Sequence, residues 1–414
     1  MANTPADADL MVICGVPGSG DTEWLDRIEA GMPQPAVRIL LEEKTQAVRL
    51  LDEGSALLAA GMSEARGPGI DATSRMANGT PEADRRGDGD QGDESRPGHH
   101  YGEDHPSHHP QDSRSAHHGH GEHGYGGNVD HSSHTGHDDS GDIGHDMHGM
   151  DVAGLPMAER ADDRDGLRLD QLHVPLGPGL ADWPAGLVLH FTLQGDVVQH
   201  AEVGQLAVTS GGLPFWNEPW LRAARGDVVA RGDAARRRCA SHLDSLGRLL
   251  AVVGWDDAAA RCRRLRDEAL SGAPSARFGK ELRATTRRVA RSRTLRWAMA
   301  GLGRLPAERA RAAGVSGPAL EADGDGCDRL RVWLREIERS VGELDDARPL
   351  ESGAALVGPR GVLDGDRPPS QALLDVLPEL LAGAEFAGAR IILASLDPDL
   401  DELVLGRTSG AAHG

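Results

Sequence analysis

The sequence has few aromatic residues, almost no lysine and no closely spaced pair of cysteines. Aromatic residues make up 3% of the 414 residues, and Lys44 and Lys280 are the only lysines. Cores must therefore be built mainly from Leu, Val and Ala. The absence of a CxxC pair excludes a cysteine-framed zinc or iron–sulfur site and a disulfide framework, and scattered thiols are typical of a reducing cytosol. The four cysteines are Cys14, Cys239, Cys262 and Cys327.

Long apolar runs are also missing. The longest one, residues 380–396, is interrupted by Glu385 and Arg390, whereas a membrane span needs about 20 consecutive apolar residues. The N-terminal residues carry no basic region before their short apolar run, so we expect no signal peptide. These absences predict a cytoplasmic chain that is soluble or reaches a membrane only through partners.

Glycine, proline and acidic residues are abundant instead. The chain contains 54 Gly and 24 Pro, and its net charge is −21. Residues 63–152 are poor in apolar side chains and rich in Gly, Asp, Ser and His, so they cannot bury enough surface to offset the chain entropy lost on folding. We predict a disordered linker there, between a small unit (1–62) and a main domain (153–406) that precedes a short tail (407–414).

Histidines are concentrated in the predicted linker, which contains 14 of the chain's 19. Neutral imidazoles at short spacing suit nickel, zinc or copper, and they would release the metal on protonation near pH 6. The alternative is a solvating linker without a selected ligand. The candidate metal ligands are His99, His100, His105, His108, His109, His117, His118, His120 and His123.

The first 62 residues predict a small α/β unit. An apolar strand (10–14) leads through a glycine loop into a helix from Thr22, the candidate N-cap residue, and a second strand (36–41) and helix (47–61) follow. Gly15 and Gly20 have the spacing of a phosphate loop, but Asp21 stands where such loops have lysine. We therefore interpret the loop as a strand-to-helix turn that needs glycine rather than as a nucleotide site.

The main domain predicts an α+β fold dominated by helices. Residues 187–203 alternate as a hairpin with its turn at 194–196. Arginine-rich helices are predicted at 234–253, 256–271, 276–300 and 325–345, and the domain closes with two helices and a buried strand-like run. Residues 220–311 contain 22 basic and 9 acidic residues, a net charge of +13. That excess is consistent with solvated helix faces or with a surface for an acidic or membrane partner.

Part of the N-terminal unit resembles a known redox subunit. The segment DLMVICGVPGSGDTEWLDRIEAGMPQPAVRIL, with Met32-Pro33-Gln34-Pro35 between helix and second strand, is similar to the core of the cluster-bearing small subunit of respiratory complex I and related membrane-bound hydrogenases. The resemblance implies an electron-transfer fold. The family's cysteine beyond the second strand is absent here, so we expect no iron–sulfur cluster.

Residues 165–405 resemble a second subunit of the same assemblies, in the correct order along the chain. The glycine loop and hairpin (177–203), RCASHLDSLG (238–247), GPRG (358–361) and Leu396-Asp397-Pro398 are similar to segments of the quinone-site subunit of complex I, which is related to the large subunit of [NiFe] hydrogenases. The family's metal-binding cysteines and loop histidines are missing. The resemblance offers Trp183, Ala185, Gly186 and His242 as candidates for a quinone pocket.

Together the two resemblances describe a fusion of both subunits joined by the histidine linker. We expect a non-catalytic or weakly catalytic subunit of a complex I-like or hydrogenase-like assembly, peripheral on the inner face of the cell membrane. Its partners would be antiporter-like membrane subunits and an anionic membrane surface, with no nucleic acid. One alternative is a nickel or zinc store or chaperone for hydrogenase assembly. Another is an active oxidoreductase with a rebuilt quinone pocket near Trp183.

Overall fold

The structure is a computed structural model of the chain. It describes residues 5–18, 20–60, 168–206, 212–351 and 356–403, together with short strand segments at 66–67, 70–71, 151–152, 155–156 and 160–162. All nine candidate histidine ligands, most of the predicted linker and the tail at 407–414 lie outside these residues.

The N-terminal unit is α/β, as predicted. Strands β1 (Leu10–Cys14) and β2 (Val37–Leu41) are parallel, with Leu10 opposite Val37, and helix α1 (Thr22–Ala30) connects them. Helix α2 (Ala47–Ala59) covers the sheet and buries Leu50 against Ile39. Two-residue strands β3 (Arg66–Gly67) and β4 (Ile70–Asp71) extend the sheet in antiparallel fashion beyond β2.

The main domain begins with a four-stranded antiparallel sheet whose strands lie side by side in chain order. The predicted hairpin is confirmed as β9 (Leu187–Gln194) and β10 (Val197–Gln205), with Gly195 at φ 59 in the turn. Strands β7 (Arg160–Asp162) and β8 (Arg168–Leu176) were not predicted. Most side chains of β8 are exposed or half-buried, so its sequence lacks the apolar alternation that marks a strand. Two short strands, β5 (Asp151–Val152) and β6 (Leu155–Pro156), precede them.

Helices make up most of the remaining chain. Their bounds are α3 (Glu218–Ala224), α4 (Arg231–Val252), α5 (Asp256–Leu270), α6 (Ser275–Arg291), α7 (Arg293–Met299), α8 (Ala307–Ala312), α9 (Gly317–Ala322), α10 (Gly326–Val341), α11 (Pro369–Leu381) and α12 (Phe386–Leu396). The two-residue strands β11 (Val357–Gly358) and β12 (Gly361–Val362) form a small hairpin before α11. One core lies among α4, α5, α6 and α10. A second core lies between the β8–β10 sheet and helices α11 and α12.

Two helix predictions need correction. The strand-like run that ends the domain is α12, which packs against α4, α10 and α11. Because α12 is buried along most of its length, its apolar residues show no clear helical stripe, and a continuous apolar run does not distinguish a strand from a buried helix. The single helix predicted at 276–300 is interrupted at Ser292, whose hydroxyl accepts the Leu295 N–H at 3.2 Å and so caps α7.

Within the described residues, no helix combines the length and the apolar character needed to cross a bilayer.

Candidate functional site

The carboxylate of Asp21 bonds back to the backbone of the glycine loop before α1. Asp21 is buried, and its Oδ2 accepts the backbone N–H of Gly18 at 2.8 Å. In a phosphate loop such an N–H would face an anionic ligand, so a nucleotide here would meet a fixed negative charge. Asp21, rather than the predicted Thr22, is the N-cap residue of α1, although its side chain makes no cap bond to the helix. The carboxylate turns back into the loop instead.

The N-terminal unit packs on the loop at 177–186 of the main domain. A Cβ placed on Gly177 would lie 2.2 Å from Cζ2 of Trp24, so the indole of α1 occupies the space that a side chain at 177 would need. Gly179 approaches Ile28 of the same helix, with a hypothetical Cβ at 3.3 Å. The glycines that open this loop therefore permit close contact between the two parts of the chain that resemble separate subunits.

A cavity of about 490 Å³ lies along this contact; we call it the seam cavity. Its walls come from β1 and α1 on one side and from the 178–186 loop, the end of β10 and residues 400–403 on the other. Cys14 at the end of β1 is exposed and contributes to the wall, as does the carboxylate-bearing Asp401. The size and mixed lining are within the range of small-molecule sites in proteins.

The structure brings together three of the four quinone-pocket candidates. Trp183, Ala185 and Gly186 line the seam cavity. The indole N–H of Trp183 donates to the Leu187 carbonyl at 2.8 Å, which fixes the orientation of the ring, and the partly buried ring also packs against the core beside α11 and α12. Gly186 has φ 76, a conformation that favours glycine. Quinone binding at these residues stays a prediction.

His242 lies elsewhere, buried in the interior of α4. The space beside it is a cavity of about 20 Å³ shared with Ser245 and Arg360, which is room for about one water molecule and too little for a cofactor. Its Nε2 has no hydrogen-bond partner among the described residues. Burial, and then the positive charges of Arg360, Arg238 and Arg339, lower the pKa of His242 to about 3. The ring is therefore neutral at physiological pH.

The motifs that carry the resemblance meet in one buried ion network beside His242. Arg360 of the GPRG loop places Nη2 2.5 Å from Oδ2 of Asp397 and donates from Nε to the Asp397 carbonyl at 2.8 Å. Ser245 of α4 donates to the same Oδ2 at 2.5 Å, and Ser241 accepts from Arg360 Nη1 at 3.3 Å. Arg360 and Asp397 are 6% and 4% exposed, so this pairing is shielded from solvent and each charge depends on the other.

The network extends on both sides of this pair. Arg248 Nη2 lies 2.9 Å from the other oxygen of Asp397 and 3.0 Å from Asp244. Asp399, which follows Asp397-Pro398, lies 3.7 Å from Arg360 Nη1. Burial by itself lowers the pKa of the Arg360 guanidinium, but the attraction of Asp397, Asp399 and Glu402 outweighs burial and raises that pKa above its ordinary value.

Sequence reasoning missed one buried carboxyl group. Glu402 is fully buried, its Oε1 accepts from Asn217 Nδ2 at 2.8 Å, and its Oε2 accepts from the hydroxyl of Ser370 at 2.6 Å and from its N–H at 3.1 Å. Burial is the main cause that raises the pKa of Glu402 to about 7, aided by Asp399 and opposed by Arg360. The adjacent Asp401 faces the seam cavity. The sequence around it, Leu400-Asp401-Glu402-Leu403, has two acidic residues between leucines, which is also what a surface turn would show.

The four cysteines, all within the described residues, do not form a cluster. Cys239 and Cys262 are buried in the core among α4, α5, α6 and α10, where burial raises the pKa of each thiol to about 12 and favours the neutral thiol. Across the described ranges, no three His, Cys, Asp or Glu side chains are placed to share a metal ion.

Comparison with solved structures gives a distant structural likeness. No family model matches the chain, and no curated protein matches it. A solved structure that is similar is a chain of the membrane-bound sulfane sulfur reductase, an archaeal respiratory membrane complex. It is 16% identical, the match covers 56% of the present chain and 98% of that chain, and the TM-score is 0.40. At that score the likeness assigns neither fold nor function.

Proposed function

We propose that this chain is a non-catalytic or weakly catalytic subunit of a complex I-like or hydrogenase-like redox assembly that lies on the inner face of the cell membrane. The observation that supports this most directly is the contact of Trp24 with Gly177. It joins the segment that resembles the cluster-bearing subunit to the loop that resembles the quinone-site subunit. A fused pair that keeps a mutual contact is suited to a place in a larger complex.

The ion network offers a way to hold the main domain together without metal ligands. In the resembling family, metal centres and their cysteines organise this region. Here Arg360, Asp397 and Arg248 interlock the GPRG loop, α4 and the end of α12 by charge alone. A structural role requires a stable fold but no bound metal. The structural role we propose is to close a proton-pumping membrane module.

Purification from the native host tests the proposal. The tagged full-length chain, extracted in mild detergent, is expected to bring down multi-span antiporter-like subunits that mass spectrometry identifies. Iron and sulfide analysis of the same preparation is expected to show neither on this chain. A monomer without membrane subunits, or a brown protein with bound iron and sulfide, contradicts the proposal.

The seam cavity favours the weakly catalytic form of the proposal. If the assembly reduces quinone with clusters borrowed from a partner, the flat face of Trp183 is the surface on which a quinone ring would stack. Trp183→Ala should then lower quinone-dependent activity of the purified complex at least tenfold, and Trp183→Phe should retain most of it. Equal activity of Trp183→Ala and the parent chain places any quinone elsewhere.

The alternative, a nickel or zinc chaperone that uses GTP, is less well supported. The buried Asp21 carboxylate bonded to Gly18 disfavours a nucleotide in the glycine loop. Calorimetry with nickel and with GTP distinguishes the two proposals, since tight nickel binding together with GTP hydrolysis would favour the chaperone.

A further inference from the structure

The outer face of α6 carries basic side chains that have no ion-pair partner within the described part of the chain. They lie at helical spacing and are all exposed: Arg277, Lys280, Arg283, Arg287, Arg288 and Arg291. We call this set the basic face. The opposite side of α6 is buried against α5 and α10, so the orientation of the basic face is fixed by the core.

Other arginines of the same helical region are paired, which sets the basic face apart. Arg236 pairs with Asp345, Arg237 with Glu218, and Arg263 with Asp182. The acidic residue of α6, Glu281, is directed to Arg261 and Arg264 of α5. Of the twelve basic residues in 220–311 that have no ion pair in the described structure, six therefore lie together on one face of α6.

After the break at Ser292, the short helix α7 adds further exposed basic residues and an exposed indole. Arg293 and Arg296 are exposed, and Trp297 has 82% of its surface accessible, in a chain with very few aromatic residues. Tryptophan is favoured at the level of lipid headgroups, where its ring meets the acyl boundary and its N–H stays wet. Arginine and lysine next to such a residue are typical of proteins that lie on anionic membranes.

We infer that the basic face and Trp297 together form a contact surface for anionic phospholipid. A helix of this length presents about 25 Å of nearly straight charge, which suits a planar surface of negative headgroups. A single aromatic side chain gives no stacking platform for nucleic acid bases. The acidic residues that give the chain its net charge of −21 act weakly beyond about 8 Å at physiological salt. This surface is a property of the chain itself and does not depend on the proposed assembly.

Vesicle co-sedimentation of the purified full-length chain tests the inference without any partner subunit. We expect binding to vesicles of phosphatidylcholine mixed with phosphatidylglycerol, no binding to phosphatidylcholine alone, and loss of binding at high salt. The double variant Arg287→Glu/Arg291→Glu should bind at least about 30-fold more weakly, since each basic residue near such a surface contributes roughly a fivefold gain in partitioning. Trp297→Ala should lower binding severalfold.

The matched control is Arg225→Glu/Arg311→Glu. Both residues are exposed, neither has an ion pair in the described residues, and they lie after α3 and in α8, outside the core that holds α6. This variant changes the net charge equally and should bind like the parent chain. Equal loss in both double variants, no binding to mixed vesicles, or tighter binding to polyglutamate or polyuridylate than to vesicles overturns the inference. Circular dichroism of each variant checks that the fold is intact.

Discussion

Replacement of Glu402 by glutamine should remove the part of the pH dependence of stability that comes from this one carboxyl group. Glu402 is enclosed by Asn217 and Ser370, and its pKa is raised from 4.5 to about 7, chiefly by burial. When a carboxyl group has a higher pKa in the folded state than in the unfolded state, the folded state binds the proton more tightly. The free energy of unfolding is then highest below the unfolded pKa and falls as the pH rises through the folded pKa. Between about pH 4.5 and pH 7 the group should therefore destabilise the native chain progressively.

The size of the effect follows from the shift. One pKa unit corresponds to about 1.4 kcal/mol, so the full change is about 3 kcal/mol, of which about 2 kcal/mol falls between pH 5.5 and pH 7.5. Glutamine keeps the shape of the side chain and removes the titration. Its amide can donate to Oδ1 of Asn217 if that side chain flips, and Oδ1 has no partner in the described structure. The variant should thus fold, and its free energy of unfolding should gain on the parent chain as the pH rises.

Urea unfolding followed by circular dichroism at several pH values between 5.5 and 7.5 provides the measurement. The difference between the free energies of unfolding of Glu402→Gln and the parent chain is the quantity of interest, because most other titrating groups cancel in it. Asp364→Asn, which removes an exposed carboxylate, is the control and should give a difference that is nearly independent of pH. If the Glu402→Gln difference is equally flat, the reasoning from burial is refuted.

Two further perturbations test the core and the seam. The pKa of His242 is lowered to about 3 by burial and by nearby arginines. The buried neutral ring therefore stabilises the fold fully above pH 6.5, and this stabilisation is lost as the pH falls toward 3. Urea unfolding should show His242→Gln gaining about 2 kcal/mol on the parent chain between pH 7 and pH 5, and a constant difference would contradict a buried neutral ring. Gly177→Ala should displace Trp24, because the added Cβ would lie 2.2 Å from its ring, whereas Gly212→Ala meets nothing within 4 Å. Hydrogen exchange of β1 and α1 should quicken in the first variant alone, and unchanged protection there would show that this contact does not hold the N-terminal unit.

The sequence by itself determined most of the local structure. The alternation of residues 187–203 predicted the hairpin, and the apolar run at 10–14 followed by glycines predicted the first strand and turn. The spacing of apolar residues likewise predicted α4, α5 and α10 to within a few residues. These features depend on the repeat of 2.0 or 3.6 residues that each element imposes on its own side chains. The excess of arginine over acid in the helical region was equally plain from composition.

The apolar pattern did not identify elements that are buried, or exposed, along nearly their whole surface. Helix α12 is buried along most of its length and its sequence resembled a strand, while β8 is poorly covered and its sequence resembled a loop. In both cases the pattern of apolar residues reports the neighbours of the element rather than its backbone, and those neighbours come from distant parts of the chain. Short helices such as α8 and α9 lack the length for any period to show.

The candidate sites were decided by tertiary structure alone. The resemblance offered Trp183 and His242 as candidates for one quinone pocket, but Trp183 lines the seam cavity whereas His242 lies beside a separate small cavity at α4. The fold also brings Arg360 onto Asp397, 37 positions away along the chain. The pairing of charges, the burial of Glu402 and the exposure of the basic face are long-range properties. They depend on which surfaces meet, and no local repeat in the sequence encodes that.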